Sequence, residues 1–128
     1  MRYTYTAVIT PGEKKCYVRV PDIPGCVTTG RDVEDAIEQI TDALNGCLVV
    51  WEDQGLPIPT AAAQKDIPHD TADILTLIRV DTIAYRAKTD TRAVRKNVSL
   101  PAWMAAMAEQ RGINCSKVLQ DALVRQLS

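Results

Sequence analysis

The chain has 128 residues, 46% of them apolar and 24% charged, the makeup of a soluble globular protein of one ordinary domain or two small ones. No run approaches the ~18 consecutive apolar residues of a membrane span, and the N-terminus has only Arg2 and then polar Thr and Tyr, so no signal-peptide core is expected. The formal net charge of −1 hides a split: residues 1–64 carry five Lys/Arg against nine Asp/Glu, residues 65–85 two against four, and residues 86–128 eight against three. An acidic body with a basic tail suits two partners of opposite character.

Arg2 to Thr10 is rich in Tyr, Thr, Val and Ile and reads as a strand. Pro11-Gly12 marks a turn, and Cys16 to Val20 forms the second strand of a hairpin. Pro21-Asp22-Ile23-Pro24-Gly25 is a rigid corner, with two prolines fixing φ and Gly25 free to adopt conformations other residues resist. Cys26 to Gly30 is a short third strand, which completes an antiparallel meander.

Asp32 serves as an N-cap, with Asp35 three residues on, close to a capping box. Val33, Ala36, Ile37, Ile40, Leu44, Cys47, Leu48 and Trp51 recur at intervals of three and four, one face of a helix of about five turns. Glu34, Glu38 and Asp42 form an acidic stripe on another face. Gly55 ends the helix, and Pro57 and Pro59 prevent its resumption. Packed on the meander, this helix gives the N-terminal domain its core. Residues 60–71 read as a connection. From Asp73 to Ala84 the apolar residues suit a strand over Ile74–Val80, the favoured reading, or a short helix over Ala72–Ala84.

Ala87 to Ala93 is small, polar and aperiodic. It reads as a hinge, with the domain boundary there or as early as Asp81. The division expected is therefore 1–86, the hinge 87–93, and 94–128. In Val94-Arg95-Lys96-Asn97-Val98-Ser99-Leu100-Pro101, Val94, Val98 and Leu100 fall on one side of a strand and Arg95, Asn97 and Ser99 on the other. Pro101 stops the strand and suits the first position of a helix. That helix runs from Ala102 to about Arg111, with Trp103, Met104, Met107 and Ala108 on its buried side. Gly112 breaks it. Asn114 caps a second helix whose stripe is Val118, Leu119, Ala122, Leu123 and Leu127.

A unit this small seldom stabilises itself without a metal, a disulfide or a second chain. Two copies would pair their strands about a twofold axis and bury one four-helix core. The paired strands would present Arg95, Asn97 and Ser99 twice. Arg can bond guanine, Asn adenine, and Ser either base. The start of the last helix, at Asn114, Cys115 and Ser116, offers backbone N–H groups to a DNA phosphate, and Lys96 and Lys117 add charge.

Residues 94–127 resemble the ribbon-helix-helix family of DNA-binding proteins, carried by the alternating strand ending in Leu100-Pro101, the short helix, Gly112, the cap Asn114 and the second helix. Lys96 departs from that pattern, standing where the family often has an inward aliphatic residue. The front of the chain resembles HicB-type antitoxins of bacterial toxin–antitoxin systems, carried by the strand pair, Val20-Pro21-Asp22-Ile23-Pro24-Gly25-Cys26, Thr29-Gly30 and the helix with Glu34-Asp35-Ala36. This resemblance implies an α+β fold like a truncated ribonuclease H, without activity. It implies binding to a HicA-like mRNA-cleaving toxin and repression of the operon through operator DNA.

An acidic front suits a basic, RNA-gripping partner, with Asp22, Glu34, Glu38 and Asp42 as candidate contacts by charge. The enzyme reading is the weaker one. A two-metal nuclease needs carboxylates converging on ions ~3.5–4 Å apart, but Asp22 suits the turn, Asp32 a cap, and Glu34 and Glu38 a solvated helix face. The four cysteines are dispersed without a Cys-x-x-Cys pair, and the single histidine, His69, lies in the connection. No metal site or cofactor is expected, and the thiols read as reduced ones of a cytoplasmic protein. The expected state is a homodimer through residues 94–128 or a higher oligomer. The alternative function is a stand-alone transcription regulator whose front domain senses a small ligand.

Overall fold

A computed structural model describes residues 1–128. Its elements are β1 (Arg2–Pro11), β2 (Cys16–Arg19), β3 (Val27–Gly30), α1 (Val33–Asp53), a 3₁₀ turn (Gln64–Asp66), β4 (Ile74–Asp81), α2 (Thr82–Thr89), α3 (Ala102–Gln110) and α4 (Cys115–Leu127). The fold is α+β. One antiparallel sheet, ordered β3-β2-β1-β4, carries all four strands.

The alternation along β1 decides what lies against α1. Tyr5, Ala7 and Ile9 join Val18 of β2 and Ile78 and Val80 of β4 in the core. Ala36, Ile40, Leu44 and Leu48 of α1 close it from above and are fully buried, each large side chain contributing about 1.5–3 kcal/mol by leaving water. The meander forms as expected. β4 takes the strand form over Ile74–Asp81, pairing Tyr5 with Ile78 and Tyr3 with Val80. The favoured reading of this segment therefore holds. A helix does follow at once, because the Asp81 carboxylate accepts from the Ile83 and Ala84 amides and so caps α2.

Helix α1 begins as predicted. The Asp32 side chain accepts from the Asp35 amide at 2.8 Å, and the Asp35 carboxylate accepts from the Arg31 amide at 2.8 Å. That backbone bond, then Gln39 and the Arg31 side chain, hold the Asp35 carboxyl below its ordinary range. Gly30 sits against the first turn of α1 so closely that a Cβ would lie 2.3 Å from the Ala36 nitrogen. Gly25 has φ of +81° in the Pro-rich corner, where a residue with a Cβ would be strained.

One expectation needs correction. Ala87, Lys88 and Thr89, placed in a hinge, are the last turn of α2. That helix is held to α1, because Arg86 donates to Glu52 and Asp53 at 3.2 and 2.9 Å. Irregular chain begins at Asp90. Val94–Leu100, expected to pair with a second copy, joins no sheet within the single chain. A strand exists by virtue of its hydrogen-bonded neighbour, and this chain supplies none there.

Candidate partner-binding surfaces

The acidic face of α1 is built by helical spacing alone. Glu34, Glu38 and Asp42 succeed one another every fourth residue, all are exposed, and none is in an ion pair. Glu38 and Asp42 border an open groove of about 530 Å³, shared with Asn45 of α1 and Tyr85 and Lys88 of α2. The Asn45 Oδ1 atom is buried and accepts no hydrogen bond. Sequence reasoning missed Asn45 and Tyr85. Asn45 lies three residues past Asp42, so helical spacing alone could have added it to the stripe.

Asp22 stands apart from that stripe. Its Oδ2 accepts from the Ala62 amide at 3.2 Å, which ties the connection after α1 to the corner. Its charge adds to burial in raising the Tyr5 hydroxyl above the ordinary tyrosine range. Tyr5 donates to the Pro59 carbonyl in the same place. Asp22 therefore has a structural task. Trp51, expected in the core, is only half-buried and lines a neighbouring groove with Val50 and Tyr85.

The second surface lies on residues 94–127. Neither α3 nor α4 contains a buried residue. The side expected to be buried is open: Trp103 is 63% exposed, Leu123 47% and Val118 55%. An isolated chain of soluble protein seldom keeps so much apolar surface in water. A groove of about 420 Å³ runs between the helices, lined by Val98, Leu100, Met104, Val118 and Leu119, with Lys96 among them. Lys96, Val98 and Leu100 line it, while Arg95, Asn97 and Ser99 do not. The alternation read from sequence is thus present without a sheet. Lys96 lies on the inward side, its long stem suited to run along apolar neighbours.

Arg95, Asn97 and Ser99 are all exposed, as are Asn114, Cys115, Ser116 and Lys117. Asn114 caps α4, its Oδ1 accepting from the Lys117 amide at 3.1 Å. Gly112, at φ +64°, turns the chain between the helices. His69 bonds its own neighbourhood through Nδ1 and the Ile67 carbonyl. No helix is long and apolar enough to cross a membrane, and no group of three or more His, Cys, Asp or Glu side chains comes together.

The chain is thus an α+β body with an acidic helix face, followed by a basic two-helix unit that leaves its apolar side open. Residues 5–122 match the model of the HicB-like antitoxin of bacterial toxin–antitoxin systems, and the chain belongs to that family. Among solved structures, it is similar to a chain of a toxin–antitoxin complex from Streptococcus pneumoniae, at 18% identity, with TM-score 0.58 over 98% of this chain and 99% of that one. It is similar to the antitoxin HicB of Burkholderia pseudomallei at 23% identity, with TM-score 0.56 over 98% and 99%. The N-terminal domain of that antitoxin, solved alone, aligns at 23% identity and TM-score 0.52 over 62% of this chain and 99% of its own. At these identities the likeness is one of fold. No curated protein matches the sequence.

Proposed function

We propose that this chain is a non-catalytic cytoplasmic antitoxin that binds and neutralises a HicA-like mRNA-cleaving toxin and represses its own operon. In this reading, residues 1–86 form the toxin-binding domain, a truncated ribonuclease H-like fold. Residues 94–128 form a ribbon-helix-helix unit that pairs with a second copy and grips operator DNA. The extent of α2 to Thr89 supports reading the joint as residues 90–93.

The open apolar side of α3 and α4 carries this reading. A second copy would cover it and give the 94–100 segment the antiparallel neighbour it lacks. Pairing would leave Arg95, Asn97 and Ser99 outward, the side opposite the groove, where a β-ribbon enters the major groove. Asn114, Cys115, Ser116 and Lys117 would meet phosphate at the start of α4, and Lys96 would sit beside the ribbon. The toxin, as an RNA-binding protein, would be basic and would meet Glu34, Glu38 and Asp42. Asp22, apart from the stripe and holding the Ala62 amide, would add a separate acidic contact.

The test is a double substitution, Arg95→Ala with Asn97→Ala, in the full chain. Operator binding at moderate salt should be lost while co-purification with the toxin is retained. A double variant that still shifts operator DNA normally would refute the DNA-facing assignment. A charge-reversed Glu34→Lys, Glu38→Lys, Asp42→Lys variant should give the opposite pattern.

A further inference from the structure

Gly46 lies inside α1, where glycine weakens a helix relative to alanine. The fold itself does not ask for the missing Cβ. The only atom near a Cβ built there is the Tyr85 hydroxyl oxygen, at an ordinary contact distance of 3.8 Å. Gly30 is the contrast, because its Cβ would collide with the backbone of Ala36. Packing within the chain therefore explains Gly30 and leaves Gly46 unexplained.

Gly46 lines an open groove of about 450 Å³ with Ala43, Cys47, Val50, Trp51 and Tyr85. Val50 is 50% exposed, and Trp51 and Tyr85 are half-buried. Asp42 and Tyr85 border both this groove and the acidic one beside it. The two grooves are thus one surface, acidic toward the start of α1 and apolar toward its end. From Glu34 to Val50 it follows about 24 Å of helix. Arg79 and Lys88 also border the acidic groove, yet neither pairs with Glu38 or Asp42.

We propose that the apolar groove at Gly46 anchors the basic toxin: a large apolar side chain of the toxin, flanked by Lys or Arg, seats against Gly46 while the cations meet Asp42, Glu38 and Glu34. This rests on the toxin-binding reading above and adds the apolar contact to it. Charge complementarity names the occupant. A second copy laid α1 against α1 would set carboxylate against carboxylate, and the basic tail already commits its apolar side to its own pairing. Without a Cβ, residue 46 lets incoming atoms come close to the helix backbone. Trp and Tyr are the residue types that hold partners most firmly once water is excluded. The acidic stripe governs encounter, and the apolar anchor governs how long the complex lasts.

Toxin co-purified with the full chain is separated in denaturant, refolded and passed over immobilised full-length antitoxin variants. Gly46→Ala should raise the urea midpoint of the free antitoxin and yet speed toxin release about tenfold. Gly46→Leu, which fills the groove with a good helix former, should speed release about 100-fold. Val50→Lys, at an exposed position that tolerates charge, should do the same independently. Reversing Glu34, Glu38 and Asp42 to Lys should instead slow association. If the parent captures no toxin, the toxin-binding reading falls and this proposal with it. If the parent binds while Gly46→Leu and Val50→Lys release toxin at the parental rate, the groove assignment alone is overturned. A Gly46→Ala variant less stable than the parent overturns it too, since the fold itself would then need the glycine.

Discussion

The Arg86 guanidinium and the Glu52 carboxylate lie 3.2 Å apart, joining the last turn of α2 to the last turn of α1. Glu52 gathers more than this cation. Its other oxygen accepts from the Tyr3 hydroxyl at 2.7 Å and from Thr82 Oγ1 at 3.0 Å. One carboxylate thus fastens β1, α1 and α2 together at the place where the chain leaves the sheet. Its side chain is 18% exposed, so solvent screens it only in part, whereas Arg86 at 34% is screened more.

Glu52→Ala should therefore cost more than Arg86→Ala. The first leaves the Tyr3 and Thr82 hydroxyls only their longer bonds to Met1, for a loss of about 2 kcal/mol. The second removes two partly screened pairs, to Glu52 and Asp53, for about 1 kcal/mol or less. Urea unfolding followed by tyrosine and tryptophan fluorescence should give this order with an unchanged slope.

The same cluster sets an alkaline limit. Burial, then the hydrogen bond and charge of Glu52, raise the Tyr3 hydroxyl to about 12 from its ordinary value near 10. Between those values the unfolded chain has lost this proton and the folded chain keeps it, so stability falls as pH rises. The contribution is complete below about pH 10 and gone once the folded value is passed. Tyr5, raised by burial and Asp22, adds to the fall. Urea midpoints from about pH 9 to about pH 12 should decline, and less steeply in Tyr3→Phe.

Gly30→Ala should be among the most damaging single changes in the N-terminal domain. Its Cβ would meet Ala36 backbone at 2.3 Å, and backbone cannot rotate away as a side chain can. A cost of about 3 kcal/mol or more is expected, against about 1 kcal/mol for Gly25→Ala, where only φ is at issue. Nothing lies within 4 Å of a Cβ at Gly25. Thermal melts of the two variants should separate accordingly.

Leu119→Asp would place a charge in the open groove between α3 and α4. Under the proposed pairing it should turn the full chain into a monomer in sedimentation and abolish operator binding, with α1 and the sheet intact. A variant that sediments as the parent does would argue against burial of that groove by a second copy.

Much of this architecture was legible because it rests on local chemistry. The Asp32 and Asn114 caps, the stripe from Ala36 to Leu48 and the alternation of β1 are periodic or capping signals, and each element formed where it pointed. One misreading arose because long-range partners override local pattern. Ala87–Thr89 looked aperiodic, yet Arg86 anchors their turn to residues more than thirty positions back. Val94–Leu100 alternates as a strand does, and nothing within the single chain pairs with it. The acidic stripe was visible by spacing, while its groove with Asn45 and Tyr85 was not, since α2 reaches α1 only through the fold.

Residues 90–93, between α2 and the proposed ribbon, are neither helix nor strand. Fully stretched, such a segment reaches about 14 Å. Under the proposed function it is a tether, and a tether converts separate encounters into local concentration. A toxin held on the acidic body would then stay close to operator DNA gripped by residues 94–128. Shortening or stiffening residues 90–93 should alter how the two ends communicate without touching either proposed binding surface.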